Sequence, residues 1–383
     1  MNRDLPAAPV RPPGSDLEHI LVVKLADLGD LLTATPSLRA LRLRFPRARI
    51  SALVTPHTAC LLERNDAVDD VILFPKARFD RPTDTLTPQS LLAGLHLALR
   101  LKRAHFDAAV LLHHLTTAWG ATKYRALLAA TGAPVRVGLD NGRGRFLTAG
   151  ATDRGFGARH EVDYWLDVAA TLGAGHPSPE IELHLDDAEV GTALEQWTAL
   201  GLRGRSVVAV HPGSGRFSLA RRWPVAKFAA AADALAKDGL AVALVGGPEE
   251  MDVVDAVRTR MRAESVVLAG VASPRALAAL LRSCSLFVGN DSGVMHLAAA
   301  VGVPVVGIFG LSNHQAWGPY PPERHRVVRL DLSCSPCFYR GFELGTPDGC
   351  GPRTCLNQLA PEDVTRAAFD LLAARGRARD DVR

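Results

Sequence analysis

The stretch Leu286-Phe287-Val288-Gly289-Asn290-Asp291-Ser292-Gly293-Val294-Met295-His296-Leu297-Ala298 reads as a strand, a tight turn and the opening of a helix. Leu286–Val288 is an apolar run with the character of a buried parallel strand. Gly289 to Gly293 supply the turn, and a helix over Gly293–Val301 leads to a further apolar strand, Val305–Phe309. That succession is a βαβ unit and implies a parallel sheet covered by helices. Asp291 or Ser292 stands where a helix N-cap belongs. The exposed N–H groups of the first helical turn, with the helix dipole, make such a turn a site for an anion. An ordinary capped helix has the same signature, and His296 reads equally well as a buried core histidine.

The same rhythm extends upstream. Strands over Ser206–Val210, Ala241–Val245 and Ser265–Leu268 alternate with helices over Val225–Asp238, Glu249–Arg262 and Pro274–Arg282. An earlier series places strands over Ile20–Lys24, Arg49–Val54, Val71–Phe74, Ala108–Leu112 and Val135–Gly138, with helices over Leu31–Arg44, Leu91–Arg103 and His160–Leu172. Between the two series, Gly173–Arg205 changes character, with His176-Pro177-Ser178-Pro179 and a helix near Ala188–Leu200. The expected organisation is α/β: a disordered tail over 1–17, a first doubly wound domain over 18–185 and a second over 186–383. Two such sheets in tandem predict a cleft at the carboxyl ends of their strands, where ligands of open α/β sheets bind.

Two more turns in the second domain sharpen the anion reading. Strand Ser206–Val210 ends in His211-Pro212-Gly213-Ser214-Gly215, followed by the basic Arg221-Arg222-Trp223-Pro224. Small residues such as Gly213 and Ser214 let the backbone approach a phosphate closely, and Arg221 is suited to neutralise charge on a departing diphosphate. The third turn, Gly246-Gly247-Pro248-Glu249-Glu250, carries two carboxylates that suit the hydroxyls of a ribose or cap a helix. Three such turns in one domain favour a nucleotide site over three unrelated caps. In the first domain, Asp27-Leu28-Gly29-Asp30 follows the first strand. By position Asp30 is an N-cap, yet a cleft holding an activated diphosphate also needs a base for its acceptor, and Asp30 is the carboxylate that matches.

Other readings lose ground. There is no G-x-G-x-x-G after the first strand, no Walker-type phosphate loop and no G-x-S-x-G elbow. A formal charge of +4 over 383 residues gives no case for nucleic acid. The longest apolar run, Leu297–Gly310, is interrupted by Gly302 and Pro304 and is too short to span a bilayer, and the first residues lack a secretory apolar centre. The expectation is a cytoplasmic protein. Arg136, Arg143, Arg145, Arg154 and Arg159 fall in a glycine-rich stretch that reads as loop, either as solvated surface or as a patch for an anionic partner. Cys334, Cys337, Cys350 and Cys355 cluster late in the chain, but their spacing is unlike a zinc ribbon. Reduced thiols in a loop fit them better than disulfides do; a structural metal stays open.

Taken in order, Leu28-Gly29-Asp30-Leu31-Leu32 with Thr35-Pro36, Val210-His211-Pro212-Gly213, Arg221-Arg222-Trp223-Pro224 and Gly289-Asn290-Asp291-Ser292-Gly293 with His296-Leu297-Ala298-Ala299 resemble the ADP-heptose:lipopolysaccharide heptosyltransferases, glycosyltransferase family 9. The resemblance runs from about Glu18 to Val364. It implies a GT-B fold, a metal-independent inverting transfer with no cofactor, and a lipopolysaccharide inner-core acceptor at the cytoplasmic face of the inner membrane, with peripheral membrane contact. Asp30, beside Gly29, matches the family's base. Asp291, Ser292, Gly293 and His296 match its donor-diphosphate turn, Ser214 lies in its other phosphate loop, and Glu249 or Glu250 matches the residue near the nucleoside. Arg221 stands where the family usually has lysine, which puts the exact donor in question. Alternatives from other classes are a transferase of another nucleotide sugar, a sugar-nucleotide epimerase, and a non-catalytic nucleotide-sugar-binding protein.

Overall fold

Short apolar, β-branched runs build two six-stranded parallel sheets, and helices joined by brief turns cover them. The computed structural model describes residues 17–176, 178–271 and 273–380. The expected tail lies outside the described residues except for Leu17, which is buried. The chain forms two compact units. The first runs to Gly155 and resumes over Glu161–Pro179; the second takes Phe156–His160 and continues from Glu180.

In the first unit, strands β1 (His19–Lys24), β2 (Arg49–Val54), β3 (Asp70–Leu73), β4 (Ala108–Leu111), β5 (Val135–Asp140) and β6 (Ala149–Thr152) lie in the order β3-β2-β1-β4-β5-β6. Its helices are α1 (Leu28–Leu32), α2 (Thr35–Arg44), α3 (Pro82–Thr85), α4 (Pro88–Arg103), α5 (Ala118–Thr131) and α6 (Glu161–Ala170). The chain reverses its direction of travel across the sheet between β1 and β4, which is where doubly wound sheets open a crevice for ligands. Leu21, Val23, Leu53, Ala109, Leu111 and Leu128 anchor the core on one face of this sheet.

The second unit repeats the plan with β7 (Val207–His211), β8 (Ala241–Gly246), β9 (Ser265–Ala269), β10 (Leu286–Asn290), β11 (Val305–Ile308) and β12 (Arg326–Val328), ordered β12-β11-β10-β7-β8-β9. Helices α7 (Asp187–Ala199), α8 (Val225–Lys237), α9 (Met251–Arg260), α10 (Pro274–Arg282) and α11 (Gly293–Ala300) connect or flank its strands. Short helices α12 (His314–Trp317) and α13 (Thr354–Asn357) and the hairpin β13 (Phe338–Arg340) with β14 (Glu343–Gly345) precede α14 (Pro361–Asp380). Here the reversal falls between β7 and β10, paired in parallel with Gly289 opposite His211.

Three local expectations need correction. The single helix expected over Leu31–Arg44 breaks into α1 and α2, because Pro36 has no N–H to give the Leu32 carbonyl and its ring would collide with it. The buried hydroxyl of Thr35 donates to that carbonyl at 2.8 Å instead. The helix expected over Glu249–Arg262 opens with a 3-10 turn over Pro248–Glu250 and ends at Arg260. The arginine-bearing stretch is not all loop: Arg136 sits on β5, and Ala149–Thr152 forms β6. Its Ala-Gly-Ala-Thr sequence hides that strand, and Gly150 is needed because a Cβ there would lie 2.9 Å from the Cβ of Asp140. Helix α5, with only Tyr124, Leu127, Leu128 and Thr131 buried, has too weak an apolar stripe to announce itself. All six cysteines are free thiols, and among the described residues no group of three or more His, Cys, Asp or Glu could hold a metal ion.

Candidate active site

The strand end of β10 is built for close approach to β7. A Cβ on Gly289 would lie 3.0 Å from the carbonyl oxygen of His211 and 2.8 Å from the Phe287 ring, so no larger residue fits. Next to it, Asn290 is fully buried and binds three backbone groups. Its Oδ1 accepts from the Trp223 N–H at 2.9 Å, and its Nδ2 donates to the carbonyls of Pro212 and Gly213 at 2.9 and 3.0 Å. One amide therefore sets the position of the turn after β7 and of the basic segment that follows it.

Ser292, not Asp291, is the N-cap of α11, its Oγ accepting from the Met295 N–H at 3.3 Å. That hydroxyl also lies 3.3 Å from Nδ1 of His211, whose Nε2 lies 2.9 Å from Oε2 of Glu250. All three side chains are buried. The three turns picked out by their sequence, after β7, β8 and β10, are thus linked by one side-chain chain, Ser292–His211–Glu250. Glu250 holds more: it accepts from the N–H of Gly215 at 2.9 Å and of Gly247 at 3.1 Å. Burial alone would raise its pKa, but His211 and those two N–H groups bring it down to about 2. A Cβ on Gly213 would come within 2.0 Å of the same carboxylate, so a larger residue there would push Glu250 or the loop out of place.

Arg221 spans two of these turns. It donates to Oδ2 of Asp291 at 3.2 Å and to the Ser214 carbonyl at 2.8 Å, while its buried Nε has no protein partner. The Ser214 hydroxyl donates to the Ser218 carbonyl at 2.9 Å, closing the loop on itself. Trp223 and Lys227 fasten the far side: the indole donates to the Leu359 carbonyl at 3.3 Å, and the Lys227 ammonium to those of Asn357 and Leu359 at 2.6 and 2.7 Å. Glu249 points outward and pairs with Arg216 at 2.7 Å, both exposed. His296, on α11, is buried. Gly293 opens the helix, leaving its first-turn N–H groups facing the same end of the sheet as Gly213 and Ser214. So Gly213, Ser214, Arg221, Glu249, Glu250, Asp291, Ser292, Gly293 and His296 all belong to the second unit.

Gly29 and Asp30 lie in the first unit, on the one-turn helix α1 at the carboxyl end of β1. Gly29 is buried and Asp30 half-buried. Beneath them Lys24 ends β1, buried, with its ammonium 3.9 Å from the centre of the Trp165 ring. Burial lowers the Lys24 pKa, and the charges of Asp30 and Glu161 oppose that. Close by, His114 is held between two carboxylates, Nδ1 at 3.1 Å from Asp153 and Nε2 at 3.0 Å from Glu161. Burial disfavours its cation, yet Glu161 and Asp153 outweigh burial and lift its pKa to about 9. None of Lys24, His114, Asp153 and Glu161 stood out in the sequence; a lysine closing an apolar strand was the one available sign.

Of the arginines singled out earlier, Arg136, Arg143 and Arg145 line one concavity of about 730 Å³, joined by Arg125 of α5. Arg143 is anchored there by the Leu115 and Thr116 carbonyls at 3.1 and 2.9 Å. Arg154 follows β6, and Arg159 belongs to the second unit.

Residues 95–346 match the model of glycosyltransferase family 9 (heptosyltransferase). The chain belongs to that family. It is 28% identical over 199 residues to lipooligosaccharide heptosyltransferase 2 of Campylobacter jejuni, covering 51% of this chain and 60% of that relative. The chain thus spans less than two thirds of that relative's length. Among solved structures, the glycosyltransferase family 9 protein of Veillonella parvula superposes with a TM-score of 0.72 at 23% identity, covering 94% of this chain and 98% of the other. The Escherichia coli heptosyltransferase WaaC with ADP gives 0.69 at 19% identity, covering 92% and 99%. At such identities the likeness concerns the fold, and the fold of this family 9 chain is of the GT-B type.

Proposed function

We propose that this chain is a glycosyltransferase that moves heptose from ADP-heptose to the inner core of lipopolysaccharide, with inversion and without a metal. The observation that carries the reading is the second unit's three-turn cradle, tied together by Ser292–His211–Glu250 and spanned by Arg221, in a member of family 9. In this reading the Asp291–Gly293 turn, Gly213, Ser214 and Arg221 receive the diphosphate, and Glu249 or Glu250 lies toward the nucleoside. Arg221, held against both the Asp291 turn and the Ser214 turn, brings its positive charge to the phosphate loops. His296 supports the helix that presents the first-turn N–H groups.

Asp30 acts as the general base. It takes the proton of an acceptor hydroxyl; the oxygen attacks the anomeric carbon from the face opposite the nucleotide, the bond from that carbon to the diphosphate breaks, and ADP leaves with the electron pair. Arg221 and the turn N–H groups stabilise the charge that develops on ADP. The concavity lined by Arg125, Arg136, Arg143 and Arg145 suits an anionic, phosphorylated acceptor. On this reading the reaction runs at the cytoplasmic face of the inner membrane.

The test is incubation with a panel of nucleotide sugars, with and without a lipopolysaccharide core acceptor, following nucleotide release in the presence of a chelator. Release of ADP from ADP-heptose that requires the acceptor and ignores the chelator supports the reading. Asp30→Asn should cut turnover by roughly 10²–10⁴-fold while calorimetry shows unchanged donor affinity. Conversion of the donor without an acceptor points to an epimerase instead, and wild-type turnover by Asp30→Asn removes Asp30 as the base.

A further inference from the structure

The first unit carries an apolar face that its own core does not use. Leu91, Leu92, Leu95 and Leu99 of α4 are 55%, 58%, 55% and 40% exposed, and Leu86, just before the helix, is 73% exposed. At 100° per residue the four helical leucines fall within an arc of about 100°, one continuous stripe along α4. The neighbouring side of the helix is apolar as well: Gly94, Leu97, Ala98 and Leu101 line a cavity of about 280 Å³ together with Phe79 and Trp119. A helix apolar around so much of its circumference is normally buried or faces lipid. No helix among the described residues is long and apolar enough to cross a membrane.

Charge distinguishes between the occupants of this face. Helix α4 contains Arg100, Lys102 and Arg103 and no acidic residue. Residues 76–103 hold six basic against two acidic side chains, a local excess of +4 that equals the formal excess of the whole chain. Of the two acids, Asp80 pairs with Lys123 at 3.7 Å. A second copy packed about a two-fold axis would bring α4 against itself, leaving these cations with no acid on the facing helix. An anionic lipid surface supplies both missing partners: acyl chains for the leucines and phosphates for the basic end, where long side chains can keep their heads in water.

We propose that the exposed leucine face of α4, with its basic C-terminal end, docks this protein on an anionic phospholipid bilayer. The helix lies in the interface and does not span it. The docking rests on the transferase reading for the membrane it meets, but it uses no residue assigned to donor, acceptor or base, so its failure and the failure of that reading are distinguishable.

The experiment is co-sedimentation of the full chain with vesicles of phosphatidylcholine alone or with about one third phosphatidylglycerol, without sugar or nucleotide. Wild type should partition onto the anionic vesicles, less so in high salt, and hardly at all onto the neutral ones. Leu92→Glu with Leu95→Glu should lower the partition coefficient at least about tenfold, and Lys102→Glu with Arg103→Glu should also weaken it. Thermal unfolding and ADP affinity of the variants should match wild type, which separates lost docking from lost folding. Absence of binding by wild type, or equal binding by the leucine variant, overturns the proposal. So does a wild-type dimer in light scattering that the leucine substitutions dissolve, because the face would then be a self-interface.

Discussion

Nε2 of His211 and Oε2 of Glu250 lie 2.9 Å apart in a buried pair that joins the carboxyl end of β7 to the turn after β8. Because His211 also meets Ser292, this pair is the middle of a side-chain connection that reaches all three turns of the cradle. Its loss should be felt in both folding and binding.

Glu250→Gln keeps the shape but removes the charge that receives His211, Gly215 and Gly247. The expected cost is about 2 kcal/mol, as for hydrogen bonds to a charged group, read from chemical denaturation. A carboxylate whose folded pKa is lowered stabilises fully above its ordinary 4.5 and loses that contribution as pH falls toward about 2. The gap between wild type and variant should therefore be constant near neutrality and shrink between those two values. A gap independent of acid would show that the charge is not what stabilises the turn.

For His114 the sign is opposite. Its folded pKa is raised from 6.5 to about 9 by Glu161 and Asp153 against the pull of burial, so its contribution is complete below 6.5 and fades as pH rises through about 9. His114→Gln should cost about 3 kcal/mol at pH 6, as when one partner of a buried ionic group is removed, and less at pH 10. Thermal melts across that range give the comparison, and an imidazole titrating near 6.5 would refute it.

Arg221→Lys tests whether charge or geometry matters at the cradle. Lysine keeps the charge but cannot bridge Asp291 and Ser214 with a planar fork. On the proposed chemistry it should lower kcat about tenfold, and Arg221→Ala by roughly 10²–10³-fold. Equal loss in both would mean that the bridge, not the charge, is essential.

Gly213→Ala would put a Cβ 2.0 Å from Oε1 of Glu250 and force the carboxylate or the loop aside. ADP affinity should fall about tenfold or more, and the double variant Gly213→Ala, Glu250→Ala should bind better than the two single effects combined predict, because the clash is then gone. Strict additivity in calorimetry would argue that the two residues act apart.

Much of this architecture was legible because it is written in local pattern. Apolar strands such as Val207–His211 and Leu286–Asn290, and the small-residue turns after them, announce a doubly wound sheet and its anion-binding end. What stayed hidden depends on distance along the chain. His114 meets Glu161 across 47 residues, and Ser292 meets His211 across 81, so no window of sequence contains either pair. Asn290 was visible only as one letter of a turn, although it is the last residue of β10 and fixes two other segments. Helix α5 is hard to read for a different reason: alanine-rich and shallowly buried, it owes its helicity more to propensity than to an apolar stripe.

The tether from Trp223 to Leu359 has a consequence for biosynthesis. The basic segment beside the cradle leans on a carbonyl made 136 residues later. At ribosomal speeds that interval is on the order of ten seconds. The first unit's sheet can be complete while the cradle still lacks this brace, so a ribosome-bound chain must keep β7, α8 and their apolar surfaces from aggregating until the final helices emerge. Pausing late in the message, or trimming the last helices, should therefore reduce the yield of folded second unit far more than that of the first.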